Sequence, residues 1–202
     1  MNTEEMIKRL FLSIAISVAA LIVGANSVTA AVTRCNGPFL DPGTYDAVLV
    51  PKGKNCDVAG SVTVEENVIL QEGASLTILG TFTVNGNLLG NGVSKVTIQR
   101  SPTGATITIH GNVSITGATQ EVSLFEVSIG GNLKISGSNG VPILLLNSQV
   151  TGNALFQNNT LTGGFDILFT MIVGNLVCNG NDPAPGLDSN TVSGRSIGQC
   201  SQ

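Results

Sequence analysis

From Val58 to Val192 the chain alternates aliphatic or β-branched residues with small polar ones in short runs, and the runs return at a regular interval. Taking the glycine of the Gly-x pair between runs as an anchor gives Gly60, Gly86, Gly111, Gly131, Gly152, Gly174 and Gly194, spaced 26, 25, 20, 21, 22 and 20 residues apart. Two residues before the anchors stand Val58, Val84, Ile109, Ile129, Val150, Ile172 and Val192; two after stand Val62, Leu88, Val113, Leu133, Ala154, Leu176 and Ser196. A β-branched residue held at one offset through every period marks an internal repeat. Period-two alternation predicts strands with one face buried. The Gly-x pair predicts a bend where a left-handed backbone is tolerated.

No segment carries a helical 3.6-residue spacing, and each period is too short for a strand plus a crossover helix. Each period is therefore predicted to be one rung of a parallel β-helix. The fold class is all-β: a single-stranded parallel solenoid, taken as right-handed, of about six or seven rungs stacked about 4.8 Å apart. After the anchors come Ser61, Asn87, Asn112, Asn132, Asn153, Asn175 and Arg195. The five consecutive asparagines predict a structural amide ladder along the axis. Further back in each period, Val122, Ile143 and Phe165 with Leu124, Leu145 and Ile167 predict a second inward strand. Phe125, Leu146 and Leu168 follow and break the alternation. Either the chain turns a corner there and points both residues inward, or these three form an exposed apolar binding stripe joined by Leu144 and Phe169.

The chain opens differently. Lys8 and Arg9 precede the apolar run "LFLSIAISVAALIVGA" and the small-residue segment "SVTAA". This predicts a cleaved secretory signal over 1–30, a soluble exported chain and no membrane span in the mature protein. Residues 31–57 then read as an N-terminal cap, 58–178 as the repeats and 179–202 as the last rung and C-terminal cap. The four cysteines sit at the two ends of the solenoid, and an exported chain with an even cysteine count predicts disulfides. Cys35–Cys56 and Cys178–Cys200 are the favoured pairs, because other connectivities would join opposite ends of a rigid rod. Zinc is the weaker alternative, with no C-x-x-C pair present.

Composition narrows the functional classes. Charged residues make up 11% of the chain and the formal net charge is −4, with no Lys/Arg cluster, so nucleic acid is not an expected partner. Between Gly80 and Gly180 the ionisable residues are Lys95, Arg100, His110, Glu121, Glu126, Lys134 and Asp166. That inventory is poor in the paired carboxylates of glycoside hydrolysis. His110 falls at an outward position, Glu65 and Glu66 should point to opposite faces, and no G-x-S-x-G elbow occurs. No catalytic residue, cofactor or metal ligand is assigned. Thr81/Thr83 and Thr106/Thr108 hint at a hydroxyl-bearing face. Asn112-Val-Ser and Asn158-Asn-Thr are formal glycosylation sequons, relevant only in a eukaryotic secretory pathway.

The order "GTYDAVLVPKGKNCDVAGSVTV", then Gly-Asn repeats, then "GNLVCNGNDPAPGLDSNTVSGRSIGQC" resembles a group of secreted bacterial β-helix-like proteins. In that group two cysteines flank the entry, Gly-Asn recurs in each rung and a "C-x-G-N-x-P-x-P … N-T-V-x-G … G-Q-C" tail closes the chain. The resemblance covers nearly the whole mature chain; the two long periods before Gly111 and the apolar "FDILFTMIVGN" depart from it. It implies the fold and export, and no reaction. Bactofilin-like polymer-forming proteins share the repeat style, but they are cytoplasmic filaments. The expected function is a non-enzymatic secreted structural or binding protein whose partner is an extracellular polysaccharide or protein, with self-association possible. A polysaccharide-degrading β-helix is the alternative.

Overall fold

A computed structural model describes residues 30–99, 107–140 and 142–201. Of the expected leader only Ala30 falls among them; residues 1–29 lie outside the described residues. The fold is an all-β parallel solenoid of about seven rungs, with no helix among the described residues. Each rung supplies one strand to each of three parallel sheets. Sheet 1 has nine strands, from Val32–Arg34 through Leu88–Asn91 and Val113–Thr116 to Ser196–Gly198. Sheet 2 has seven, from Asn55–Val58 through Glu121–Phe125 and Phe165–Leu168 to Gly186–Asp188. Sheet 3 has eight, from Gly43–Tyr45 through Ile107–Ile109 to Met171–Ile172 and Thr191–Val192. Sheet pairing runs from Val32 to Gly198, so the segments expected as caps already carry strands of the same sheets.

The alternation predicted from sequence is what closes the core. On sheet 1 Val113 pairs with Leu133, and on sheet 3 Ile109 pairs with Ile129. On sheet 2 Val122 and Leu124 pair with Ile143 and Leu145. All of these side chains are at most 1% exposed. Each such burial is worth about 1.5–3 kcal/mol relative to exposure. Where the interior needs bulk, Phe156 and Phe165 meet with ring centroids 5.2 Å apart. The disulfides Cys35–Cys56 and Cys178–Cys200 lie near the two ends, with Cα separations of 5.8 and 5.3 Å.

Three details correct the sequence reading. The first anchor is Glu66 and not Gly60: Val64 pairs with Val84, Val68 with Leu88, and Asn67 stands under Asn87. Gly60 belongs to a different corner, beneath Gly80. The periods therefore become 20, 25, 20, 21, 22 and 20 residues, leaving a single long rung. Its extra residues fall between Ile98 and Ile107, which pair in register with Ile78 and Phe82 of the rung before.

The glycine of the Gly-Asn pair also serves a different purpose from the one expected. Gly86, Gly111, Gly131, Gly152, Gly174 and Gly194 do not have left-handed backbones. They sit so close to the preceding rung that a Cβ would collide with it; at Gly152 it would lie 2.7 Å from the Gly131 carbonyl oxygen. Positive φ is instead used at the corner from sheet 1 to sheet 2, where Gly92, Gly117, Gly137 and Gly180 stack with φ of 63–64°. Asn158 takes this place in its own rung at φ 52°.

The third correction concerns Phe125, Leu146 and Leu168. Leu124, Leu145 and Ile167 are fully buried, whereas the three following residues are half-buried on the outward side. The alternation continues through them, and no corner turns both residues inward. The turn comes one residue later.

Candidate functional site

That next residue carries an unusual backbone. Glu126, Asn147, Phe169 and Ser189 occupy the corner between sheets 2 and 3 in successive rungs, with φ of 53, 49, 51 and 52°. Their stacking follows from pairing: the Glu126 N–H donates to the Leu146 carbonyl, Asn147 N–H to Leu168 and Phe169 N–H to Asp188, all at 3.0 Å. Asparagine and serine tolerate the left-handed region through short polar side chains, whereas a bulky side chain there is an outlier. Phe169 is that outlier, and the residue is 55% exposed.

Beyond the corner the chain enters sheet 3, where outward residues alternate with buried Thr170 and Ile172. Its central outward column runs Thr44, Thr63, Thr83, Thr108, Ser128, Gln149, Met171, Thr191. The hydroxyl face hinted at by two Thr-x-Thr pairs thus extends along the solenoid, although Thr106 lies outside the described residues. Gln149 and Met171 carry no hydroxyl, and in the Met171 rung the polar character is lost as well: Phe169, Met171 and Val173 all project outward and are 55, 41 and 44% exposed. The matching positions are Asn147, Gln149 and Thr151 in the rung before and Ser189, Thr191 and Ser193 in the rung after.

These residues shape a shallow groove lined by Glu126, Ser128, Asn147, Gln149, Phe169 and Met171. The Asn147 carboxamide donates to the Glu126 carboxylate at 3.2 Å across its rim. The expected stripe of Phe125, Leu146 and Leu168 forms the adjoining ridge, one residue before the corner in the same three rungs. Leu144 is half-buried on sheet 2, between Ser123 and Asp166. Met171 and Val173 were legible only as departures: they put apolar residues where the outward column is otherwise polar.

The asparagines form two ladders. In the first, each Oδ1 accepts both the backbone N–H and the side-chain N–H of the next asparagine. Asn87 donates to Asn67 at 2.9 and 2.9 Å, Asn112 to Asn87 at 2.8 and 3.0 Å, and Asn132 to Asn112 at 2.9 and 3.1 Å. Asn153 and Asn175 continue it, and the Arg195 N–H closes it on Asn175 Oδ1 at 2.9 Å. A second ladder lies inside the corner between sheets 1 and 2. The Ser138 N–H donates to Asn159 Oδ1 at 3.0 Å, the Asn159 side chain to Asn181 Oδ1 at 2.8 Å and the Asn181 side chain to Gln199 Oε1 at 3.1 Å. No period-wide Gly-Asn signal marks it, because the column runs through Ala74, Val93 and Ala118 and turns polar only at Ser138.

The remaining candidates stand apart from one another. His110 is exposed in its outward column. Glu65 accepts a hydrogen bond from Asn85 at 2.6 Å, Lys52 pairs with Glu72 at 2.7 Å and Lys95 faces Glu121 at 3.7 Å. Of the two sequons, Asn112 has its amide committed to the first ladder, while Asn158 is exposed at its corner. No helix of the described residues is long and apolar enough to cross a membrane. No family model, curated protein or solved structure matches the chain.

Proposed function

We propose that this chain is an exported, non-enzymatic solenoid that works by presenting a rigid, patterned surface to an extracellular polymer or partner protein. The observation that supports this most is the register of its outward columns. A hydroxyl-rich column runs along sheet 3, and an outward column of sheet 1 is aliphatic toward both ends, with Leu49, Ile69 and Leu89 at one and Leu155, Val177 and Ile197 at the other, and Ser114 and Lys134 between them. Each column sets one outward side chain per rung on a frame whose spacing the backbone fixes. Such a surface suits a ligand that is itself repetitive. Two disulfides are in keeping with an oxidising compartment outside the cytosol. Polysaccharide is the favoured polymer, because the sheet 3 groove combines an exposed aromatic ring with amide, hydroxyl and carboxylate groups.

The test is co-sedimentation of the oxidised protein with cellulose, chitin, β-1,3-glucan and homogalacturonan, with reducing and unsaturated ends assayed in the supernatant. Retention on at least one polymer without product release is the expected result. Release of products would make the chain an enzyme, and failure to sediment with any of the four would refute polysaccharide binding.

A further inference from the structure

We infer that the groove beside Phe169 is a saccharide subsite, in which the Phe169 ring stacks against the C–H face of a pyranose and the Gln149, Asn147 and Ser128 side chains bind its hydroxyls. The inference rests on the polymer-binding reading above and gives it a location. It begins from the one rung that breaks the outward pattern of sheet 3. Phe169, Met171 and Val173 replace polar residues at three consecutive outward positions, forming an apolar strip one strand wide and about 13 Å long. Hydrogen-bonding rows flank it on both sides, Asn147, Gln149 and Thr151 on one and Ser189, Thr191 and Ser193 on the other.

The width of the strip selects the ligand. An amphipathic helix or a second sheet face needs an apolar surface several side chains across; on sheet 3 the polar rows begin one rung spacing away, about 4.8 Å to either side, and the ridge of Phe125, Leu146 and Leu168 across the corner on sheet 2 is half-buried. A pyranose ring has the complementary pattern, a face of C–H groups and a rim of hydroxyls. The negative face of an aromatic ring attracts polarised C–H groups. The Gln149 carboxamide and the Ser128 hydroxyl make no hydrogen bond to another described residue, so each can bind a sugar hydroxyl without giving up a protein contact. The left-handed backbone at Phe169 sits at a corner where asparagine, glutamate and serine serve the neighbouring rungs. A phenylalanine at that position costs conformational energy and leaves the residue more than half exposed, which fold stability alone does not explain.

Phe169→Asn is the informative variant, because Asn147 already occupies the same corner one rung earlier with the same backbone. Its melting temperature should equal or exceed that of the parent. Binding isotherms on cellulose, chitin, β-1,3-glucan and homogalacturonan should show at least tenfold weaker retention for Phe169→Asn on the polymer that the parent binds. Gln149→Ala should weaken retention about fivefold, and Asn85→Ala, whose side chain contacts only Glu65 at the corner between sheets 3 and 1, should leave it unchanged. Parent-like retention by both Phe169→Asn and Gln149→Ala would overturn the subsite while leaving the polymer-binding reading intact. A parent protein that binds none of the four polymers would overturn both. Sedimentation velocity gives the last arm: a parent that dimerises through Phe169 without retaining any polymer would assign the strip to a second copy of the chain.

Discussion

At the scale of single residues, the asparagine ladder explains why one residue type recurs where neighbouring columns drift. Each ladder Oδ1 binds a backbone N–H of the next rung that has no strand partner at that corner, and a side-chain N–H besides. Alanine at Asn132 therefore removes three hydrogen bonds and leaves the Asn153 N–H without its acceptor. At about 0.5–1.5 kcal/mol net per bond, the loss should be about 2 kcal/mol, read as a lower midpoint in urea unfolding. Asn85→Ala, which loses only the exposed contact to Glu65, should stay within about 0.5 kcal/mol of the parent. Equal effects of the two substitutions would mean that the ladder adds nothing beyond surface polarity. The glycine before each ladder asparagine is just as constrained, through close approach to the rung beneath it. Glu66 can replace glycine in that column because the rung below, through Asp46 and Ala47, is one residue shorter at the corner.

At the scale of elements, the strands and their burial were legible because period-two alternation and a fixed repeat reinforce each other over the whole chain. Ile109, Ile129 and Ile172 fall in one column by sequence alone, since stacking holds inward residues to one character just as it holds the ladder asparagines. What misled was local: Gly60 resembles the other anchors, yet its true equivalent, Glu66, lacks the glycine signature. The corner at Glu126, Asn147, Phe169 and Ser189 left no shared residue to detect, because its requirement is a backbone angle that several side chains accept. The disulfides were legible because a rod keeps its ends apart. They close segments with sequence separations of 21 and 22 residues. Replacing either pair with serines should cost about 3 kcal/mol in the chain-entropy model. Peptide mapping without reduction should recover only Cys35–Cys56 and Cys178–Cys200; a crossed pair would contradict the stapled ends.

At the scale of the whole molecule, each rung contacts its neighbours, and stability approximates a sum of rung and interface contributions. The last rung is the weakest: Leu187 and Val192 are only partly buried, and Ser196, Ile197 and Gly198 are exposed. Amide hydrogen exchange should therefore be slowest through Ile109–Leu145 and fastest over 186–198, with Cys200 as a local exception because its disulfide ties it to Cys178. Uniform protection along the rod would point to all-or-none unfolding instead. In parallel sheets the backbone dipoles largely cancel along the stacking direction. The first ladder does not cancel. All six of its carboxamides turn oxygen toward the C-terminal end and nitrogen toward the N-terminal end, the sense in which peptide groups add up in an α-helix. The shorter ladder from Asn159 to Gln199 points the other way and offsets it only in the C-terminal half. A molecule with no helix among its described residues thus carries a helix-like row of aligned amide dipoles along its rungs, with the positive end of each facing the N-terminal side.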